Sequence, residues 1–531
     1  MRSALLKKSP NKNRGLQLAL SILLLYCTQA VADGSYRISV KDFSADAAKV
    51  KALRQGIERM KAAGQANPTS ADFRTSFTYW ANTHGYFGTG PHATNLQTYT
   101  EARMQRCLKI YDKATCNSYY AHLANVTVPE DGFTKDVWGT CQHGTSEFLP
   151  WHRMYLYFYE KTLRKHVGDA GFSLPYWDYL QNVTPDAKRM ELPLLVKGQQ
   201  AGSLYDPFRT PGLNEGTTFM DPDDASAAQA FENNTFTGFS DSLQGQPHGT
   251  MHCAVGKVCG IPNMGFVPVA GNDPVFYMHH ANIDRLWQCW LNKKAAGKTI
   301  DLAWAKANLG MPENWFSTSY SFADENGNKV SMTIADVFTP GKIPVRYDKD
   351  MNCAVQPGQK QEQQLLSQAA TAFKAHAPVN SNKVVTLQGL TTQVALDPQQ
   401  PAQLKAAENI SALAVPSANT YLILQGVKMQ GMPAVTYKVY LSSEKQPKQK
   451  LYVATISYFG IGDHAHEGHD TGDMGTLVYT VTKQARQLGT AAADLMVHFV
   501  PTDHSATPVQ ETLSDSGLTV EQIRLETAPA K

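Results

Sequence analysis

Histidines stand in this chain at spacings that suit a metal. In Cys141-Gln142-His143-Gly144-Thr145-Ser146-Glu147-Phe148-Leu149-Pro150-Trp151-His152, Pro150 fits the first turn of a helix. From there His152, Tyr155, Leu156, Tyr159 and Leu163 recur at helical spacing, so His152 lies on the buried stripe. His143 stands nine residues earlier, on the approach. A single inward histidine is more often a hydrogen-bonded core residue than a ligand. A second cluster changes that balance. His248 and His252 are four apart, on one helix face, so both imidazoles can reach one ion. Further on, Phe276, His280, Ile283 and Trp287 form one stripe and His279 falls roughly 100° off it. His280 therefore points inward as a ligand and His279 sits beside the site. Sets made only of imidazoles suit copper, zinc, iron or nickel, and ligand type alone does not choose between them.

The order of these pieces is more specific than any one of them. His143 and His152 run into Arg153-Met154-Tyr155-Leu156 and then Leu174-Pro175-Tyr176-Trp177-Asp178-Tyr179. His248-x3-His252 is followed by Asp273-Pro274-Val275-Phe276 and by His279-His280-Ala281-Asn282-Ile283-Asp284-Arg285-Leu286-Trp287. Over about residues 35 to 350 this series resembles the tyrosinase, catechol oxidase and haemocyanin family of type 3 copper proteins. The resemblance implies a mainly α, loop-rich helical core holding two copper ions, with dioxygen as co-substrate and small phenols as substrates. His84-Gly85, after the aromatic run Phe73, Phe77 and Trp80, resembles the family's first-ligand segment. That gives His84, His143 and His152 for one copper and His248, His252 and His280 for the other. His122, 21 residues before His143, is a rival for the place of His84.

The resemblance also bears on the reaction. Cys141, two before His143, stands where fungal-type members join a cysteine to the copper histidine by a thioether. Members that hydroxylate monophenols place an asparagine directly after the first histidine of the second site, and a nearby glutamate; together these are thought to hold a basic water. Here those positions are Gly249 and Gln244, neither of which supplies a carboxylate base. Val267 stands at a gate position where a small residue leaves the metal reachable. The implied activity is oxidation of o-diphenols to o-quinones, with monophenol hydroxylation in question. A haemocyanin-like oxygen carrier and an o-aminophenol oxidase are the alternatives.

Around the site, residues 1–32 read as an export signal. Arg2, Lys7, Lys8, Lys12 and Arg14 precede the apolar run Leu16–Leu25, and Ala30-Val31-Ala32 fits a cleavage site. The run is too short to span a membrane comfortably, so no anchor is expected once the signal is gone, and the chain is expected in the periplasm or outside the cell. Loss of the signal's five basic residues takes the formal charge from +3 to −2, which implies no nucleic-acid face. Oligomeric state is left open. Seven cysteines follow Cys27; with Cys141 set aside, six admit fifteen pairings. Proximity suggests Cys107–Cys116, Cys253–Cys259 and Cys289–Cys353.

The core domain is expected over 33–354, closing near Pro344-Val345-Arg346-Tyr347-Asp348, with a linker over 355–382 that carries a helix at about 361–375. Val40–Phe43 reads as extended, Ala45–Ala63 as helical, and Phe73–His84 as one helix stopped by Gly85. Residues 383–504 hold β-rich runs parted by polar turns, as in an antiparallel sandwich. They resemble the C-terminal domain that shields the copper entrance in plant-type proenzymes. Within them Asp463-His464-Ala465-His466-Glu467-Gly468-His469-Asp470 is a metal-collecting loop or a polar hairpin. Residues 505–531 read as a mobile tail.

Overall fold

The computed structural model describes residues 36–529, except 89–92, 94–95, 122–128, 130, 258, 351–352, 354–378, 381–382, 397–417, 431–432, 461–471, 490–493 and 513–516. The signal, the linker helix, His122 and the loop carrying His464, His466 and His469 fall outside the described residues. Among those described, no helix is long and apolar enough to cross a membrane.

Helices dominate the first part. Helix α1 (Ala47–Ala63) starts where Asp46 accepts from the amides of Ala48 and Lys49, and it buries Leu53, Ile57 and Met60. It lies close against α3 (Phe148–Val167); a Cβ on Gly56 would sit 2.6 Å from Val167 Cγ2. Between them in sequence, α2 (Phe77–His84) is capped by Ser76, whose hydroxyl accepts from the amide of Tyr79. Two later helices, α4 (Thr250–Val255) and α5 (Val275–Ala295), complete the frame of the histidines.

Two local expectations are corrected. Val40–Ser44 is a helical turn rather than extended chain, because Ser39 caps it by accepting from the amide of Asp42, and the cap overrides the β-branched Val40. The stretch before His84 is two helices, Ala71–Arg74 and α2, since Ser76 starts a new one. Gly85 does end α2, but in an extended conformation. Its lack of a side chain serves a close approach, because a Cβ there would meet Pro268 Cα at 2.8 Å.

A buried ionic cluster ties the chain's first described strand to the end of the core. Tyr36–Arg37 pairs in parallel with Arg346–Tyr347. Arg37 donates to Glu160 of α3 at 2.7 Å and to the Tyr347 hydroxyl at 2.8 Å, and that hydroxyl donates to Asp284 of α5 at 2.6 Å. Arg153 also binds Asp284, at 2.5 Å, and lies over the Trp287 ring. All four charged groups are under 10 % exposed. α3 and α5, which carry His152 and His280, are thereby locked together behind the histidines.

The β region consists of β1 (Val379–Asn380), β2 (Val385–Leu387), β3 (Thr392–Ala395), β4 (Ala418–Gln430), β5 (Thr436–Ser443), β6 (Gln446–Thr455), β7 (Asp473–Thr480), β8 (Leu495–Thr502) and β9 (Gly517–Pro529). One sheet has the order β6-β5-β8-β3-β1 and the other β7-β4-β9-β2. Every pairing is antiparallel except β1 with β3. Val439, Leu441 and Val497 of the first sheet share one buried cluster with Leu422, Leu424 and Val520 of the second, so the sheets pack face to face.

The tail expected over 505–531 is corrected here. Gly517–Pro529 is an inner strand that pairs with β4 and β2 and buries Leu518, Val520, Ile523 and Leu525. Its apolar alternation changes phase between Val520 and Ile523, beside Gly426 at φ 61°, which hides the strand period in the sequence.

The disulfides are Cys107–Cys116, Cys253–Cys259 and Cys289–Cys353, as proximity suggested, and Cys141 is free and buried. Replacing Arg37 by Met strips a partner from two buried carboxylates. The Arg37→Met chain is expected to lose about 3–5 kcal/mol of stability, read as a lowered denaturant midpoint; a midpoint equal to wild type would show the cluster to be dispensable.

Candidate metal centre

The seven histidines are placed by several elements. His84 closes α2, His143 lies in the loop before α3, and His152 sits one turn inside α3. His248 lies in the helical turn Gln244–Gly249 that runs into α4, His252 lies within α4, and His279 and His280 are in the first half of α5. Donor atoms of His84, Cys141, His143 and His152 lie within 4.8 Å of one another. Those of His248, His252, His279 and His280 form a second such group. The two groups face each other: the rings of His152 and His280 stack at 4.5 Å with a 6° tilt, and those of His143 and His248 are 5.7 Å apart.

One pattern repeats through the site. Nδ1 of His84 is held by the Val267 carbonyl at 2.9 Å and Nδ1 of His152 by that of Phe148 at 2.8 Å. Nδ1 of His248 meets the Gln244 carbonyl at 3.0 Å and Nδ1 of His252 that of Met264 at 2.8 Å. A carbonyl can only accept, so these bonds place the proton on Nδ1 and leave the Nε2 lone pair for a metal. Nε2 of His248 is buried with no hydrogen-bond partner. Nε2 of His252 and of His280 converge at 3.2 Å. That is about the separation of two donors on one ion with bonds near 2 Å.

Burial, reinforced by neighbouring imidazoles, pushes His152, His252, His279 and His280 well below the usual imidazole range. Burial lowers His248 to about 3. Neutral rings are the ligating form, so the donor set fits two ions of an imidazole-binding metal such as copper.

His279 lies beside these donors. Its Nδ1 is hydrogen-bonded with the Tyr179 hydroxyl at 2.8 Å, while its Nε2 is buried without a hydrogen-bond partner. It is a fourth imidazole of the second group, 4.4 Å from the His252 ring. Cys141 Sγ lies 3.5 Å from Nδ1 and 3.9 Å from Nε2 of His143, and 3.4 Å from Nε2 of His152. Gln244 does structural work: its side-chain oxygen accepts from the amide of Gly144 at 2.7 Å, pinning the loop beside His143.

Val267 is 2 % exposed, and the space beside it is taken by the β region. The Phe459 ring stacks on His252 at 3.9 Å with an 8° tilt and lies 5.3 Å from His248 and 5.8 Å from His143. Gly460, at φ 78°, turns the chain at this tip; a Cβ there would be 3.8 Å from His143 Cβ. Phe459 gives no signal of its own in the sequence, since Tyr458-Phe459 reads only as the end of the β-rich run over 450–459.

The approach is fixed by polar contacts across the two regions. The Gln246 amide donates to the Tyr452 hydroxyl at 2.8 Å and its oxygen accepts from the amide of Thr455 at 3.0 Å. Gln229 bonds Val453 and Thr480, and Lys438 is buried against Asp221 and Asp223.

A family model described as the common central domain of tyrosinase matches residues 74–203 and 203–293, which carry all seven histidines of the two groups. Residues 74–293, which hold the two histidine groups, belong to the tyrosinase and polyphenol oxidase family of type 3 copper proteins. A second model, described only as a domain of unknown function, matches residues 377–525. Among curated members of the family, a tyrosinase of Hahella sp. (strain CCB-MM4) is 31% identical over 235 residues, 38% of this chain and 46% of that one. The latent form of a chloroplastic polyphenol oxidase of Prunus armeniaca is 27% identical over 362 residues, 63% of this chain and 56% of that one. The chain thus spans about half the length of these relatives.

Two solved family structures share the fold across both regions. A latent aurone synthase superposes with TM-score 0.55 at 19% identity, covering 94% of this chain and 90% of that one. Latent apple tyrosinase gives 0.53 at 18%, covering 94% and 98%.

Copper titration of the full-length chain should saturate at two ions per chain, and His84→Ala or His280→Ala should each remove one. Unchanged stoichiometry in His84→Ala, measured by atomic absorption, would return His122 to contention.

Proposed function

We propose that this chain is an exported binuclear copper oxidase that uses dioxygen to convert o-diphenols to o-quinones and is held closed by its own β region. The observation that carries the reading is the pair of facing imidazole groups with the Phe459 ring stacked on His252. His84, His143 and His152 would hold one copper and His248, His252 and His280 the other. Copper so held supplies the two-electron chemistry that couples diphenol oxidation to reduction of dioxygen.

The chain's own part is positional. Carbonyl tethers on Nδ1 keep the donors aimed before metal arrives, and burial keeps His152, His248 and His252 neutral, so little reorganisation accompanies the reaction. An aromatic substrate would take the face of His252 that Phe459 occupies, which makes release of the 457–460 tip a condition of turnover. Gly249 offers no side chain and the Gln244 side chain is committed to Gly144, so neither can orient a basic water, and a phenol would have to arrive already deprotonated. That favours diphenols over monophenols.

Cys141 fits a thioether to His143. Its sulfur faces the ring edge between Nδ1 and Nε2, where Cε1 lies. Forming the C–S bond breaks S–H and C–H and releases two protons and two electrons, which dioxygen accepts. The resulting link would fix a ring whose loop is otherwise held through Gln244. The peptide containing Cys141 and His143 should then weigh two hydrogens less after copper loading in air than before it; an unchanged mass and a thiol open to alkylation would rule the link out.

Oxygen uptake by the copper-loaded full chain tests the main reading. Wild type should be nearly silent, and Phe459→Ala should consume oxygen with a catechol at least about tenfold faster than with the matching monophenol. Equal rates on both substrates would make this a true tyrosinase. Reversible oxygen binding without turnover in Phe459→Ala would make it a carrier.

A further inference from the structure

Gly249 is a glycine without a backbone reason. Its φ of −67° and ψ of −37° are helical and open to any residue, and glycine at a helix start is no better than several polar alternatives. What the position lacks is room. A Cβ on Gly249 would lie 2.2 Å from Ser457 Oγ, 3.2 Å from Ser457 Cβ and 3.1 Å from Phe459 Cβ. A serine hydroxyl can rotate away, but two carbons of the tip would still be crowded.

The tip cannot retreat cheaply. On one side it is pinned by Gln246, which holds Thr455 at 3.0 Å and Tyr452 at 2.8 Å. On the other the Phe459 ring is sandwiched into the histidine cluster, 3.9 Å from His252. Within the tip, the amide of Phe459 donates to Ser457 Oγ at 3.3 Å, so moving Ser457 disturbs the turn that aims the ring.

From this we infer that Gly249 is the seat of the closing segment, so that a side chain at 249 and a docked β region exclude each other. Ser457 fills the space in which a residue-249 side chain would stand, next to His248. One position therefore governs two properties: which phenols the open site accepts, and whether the site is open. The glycine that removes a means of positioning a base is the same glycine that lets the chain close on itself. This rests on the closure reading above.

The test uses the copper-loaded full-length chain as wild type, Gly249→Ala, Gly249→Asn, Phe459→Ala and the double variant Gly249→Ala/Ser457→Gly. Hydrogen–deuterium exchange over residues 451–460 reads the seat without reference to activity, and catechol-dependent oxygen uptake reads closure. Gly249→Ala should speed exchange in that segment about tenfold while leaving β4 and β9 unchanged, and raise uptake towards the Phe459→Ala level. The double variant relieves the clash with Ser457 but loses the acceptor for the Phe459 amide, so it should recover part of the protection and part of the silence. Gly249→Asn should open the site likewise and gain monophenol uptake.

Wild-type exchange rates in Gly249→Ala would overturn the inference. So would faster exchange throughout the molecule that Ser457→Gly does not reverse. Equal uptake by wild type and Phe459→Ala would sink the closure reading alone, and the exchange result would still decide whether Gly249 is the seat.

Discussion

The hydrogen bond from a histidine Nδ1 to a main-chain carbonyl is the interaction on which this structure turns. It occurs at His84, His152, His248 and His252, and the acceptors come from the start of α3 (Phe148), the turn before α4 (Gln244) and the segment between α4 and α5 (Met264 and Val267). A tethered imidazole cannot rotate without losing its partner, so the rings face inward, and burial keeps His152, His248 and His252 neutral. Phe459 makes apolar contact with two of these rings, His252 and His248, and the ionic cluster behind α3 and α5 holds the two helices at the separation the rings require.

On the proposed reading, a preformed set of six donors creates a problem that the β region answers. Such a site is ready to react as soon as metal and dioxygen are present. Closing it with an aromatic ring on a separate body of structure keeps the donors intact while denying substrates access. Closure depends on shape at Gly249 and on polar bonds at Gln229, Gln246 and Lys438, none of which belongs to the donor set. The machinery of chemistry and the machinery of restraint can therefore vary separately, except at Gly249, where they meet.

Much of the site was legible in sequence because its logic is local. The i,i+4 spacing of His248 and His252, the stripe through Phe276, His280 and Trp287, and the approach of His143 to α3 are short-range patterns, and the resemblance followed from their order. What was illegible is what comes from far away. Phe459 reaches His252 across more than 200 residues, and Ser457 fills a gap at Gly249 that only the folded chain defines. Gln244 looked like a missing base and is instead a tether for Gly144. The final strand reads as a tail in the sequence because its apolar alternation changes phase, and its partner β4 lies far earlier in the chain. Ser39 and Ser76 as caps decided helix boundaries against weak propensities.

Anomalous diffraction at the copper edge, from crystals of the metal-loaded full-length chain, tests the account most directly. Two peaks are predicted, one among Nε2 atoms of His84, His143 and His152 and one among those of His248, His252 and His280, with the Phe459 ring still lying over His252. A single peak, or a second copper bound away from either histidine group, would contradict it.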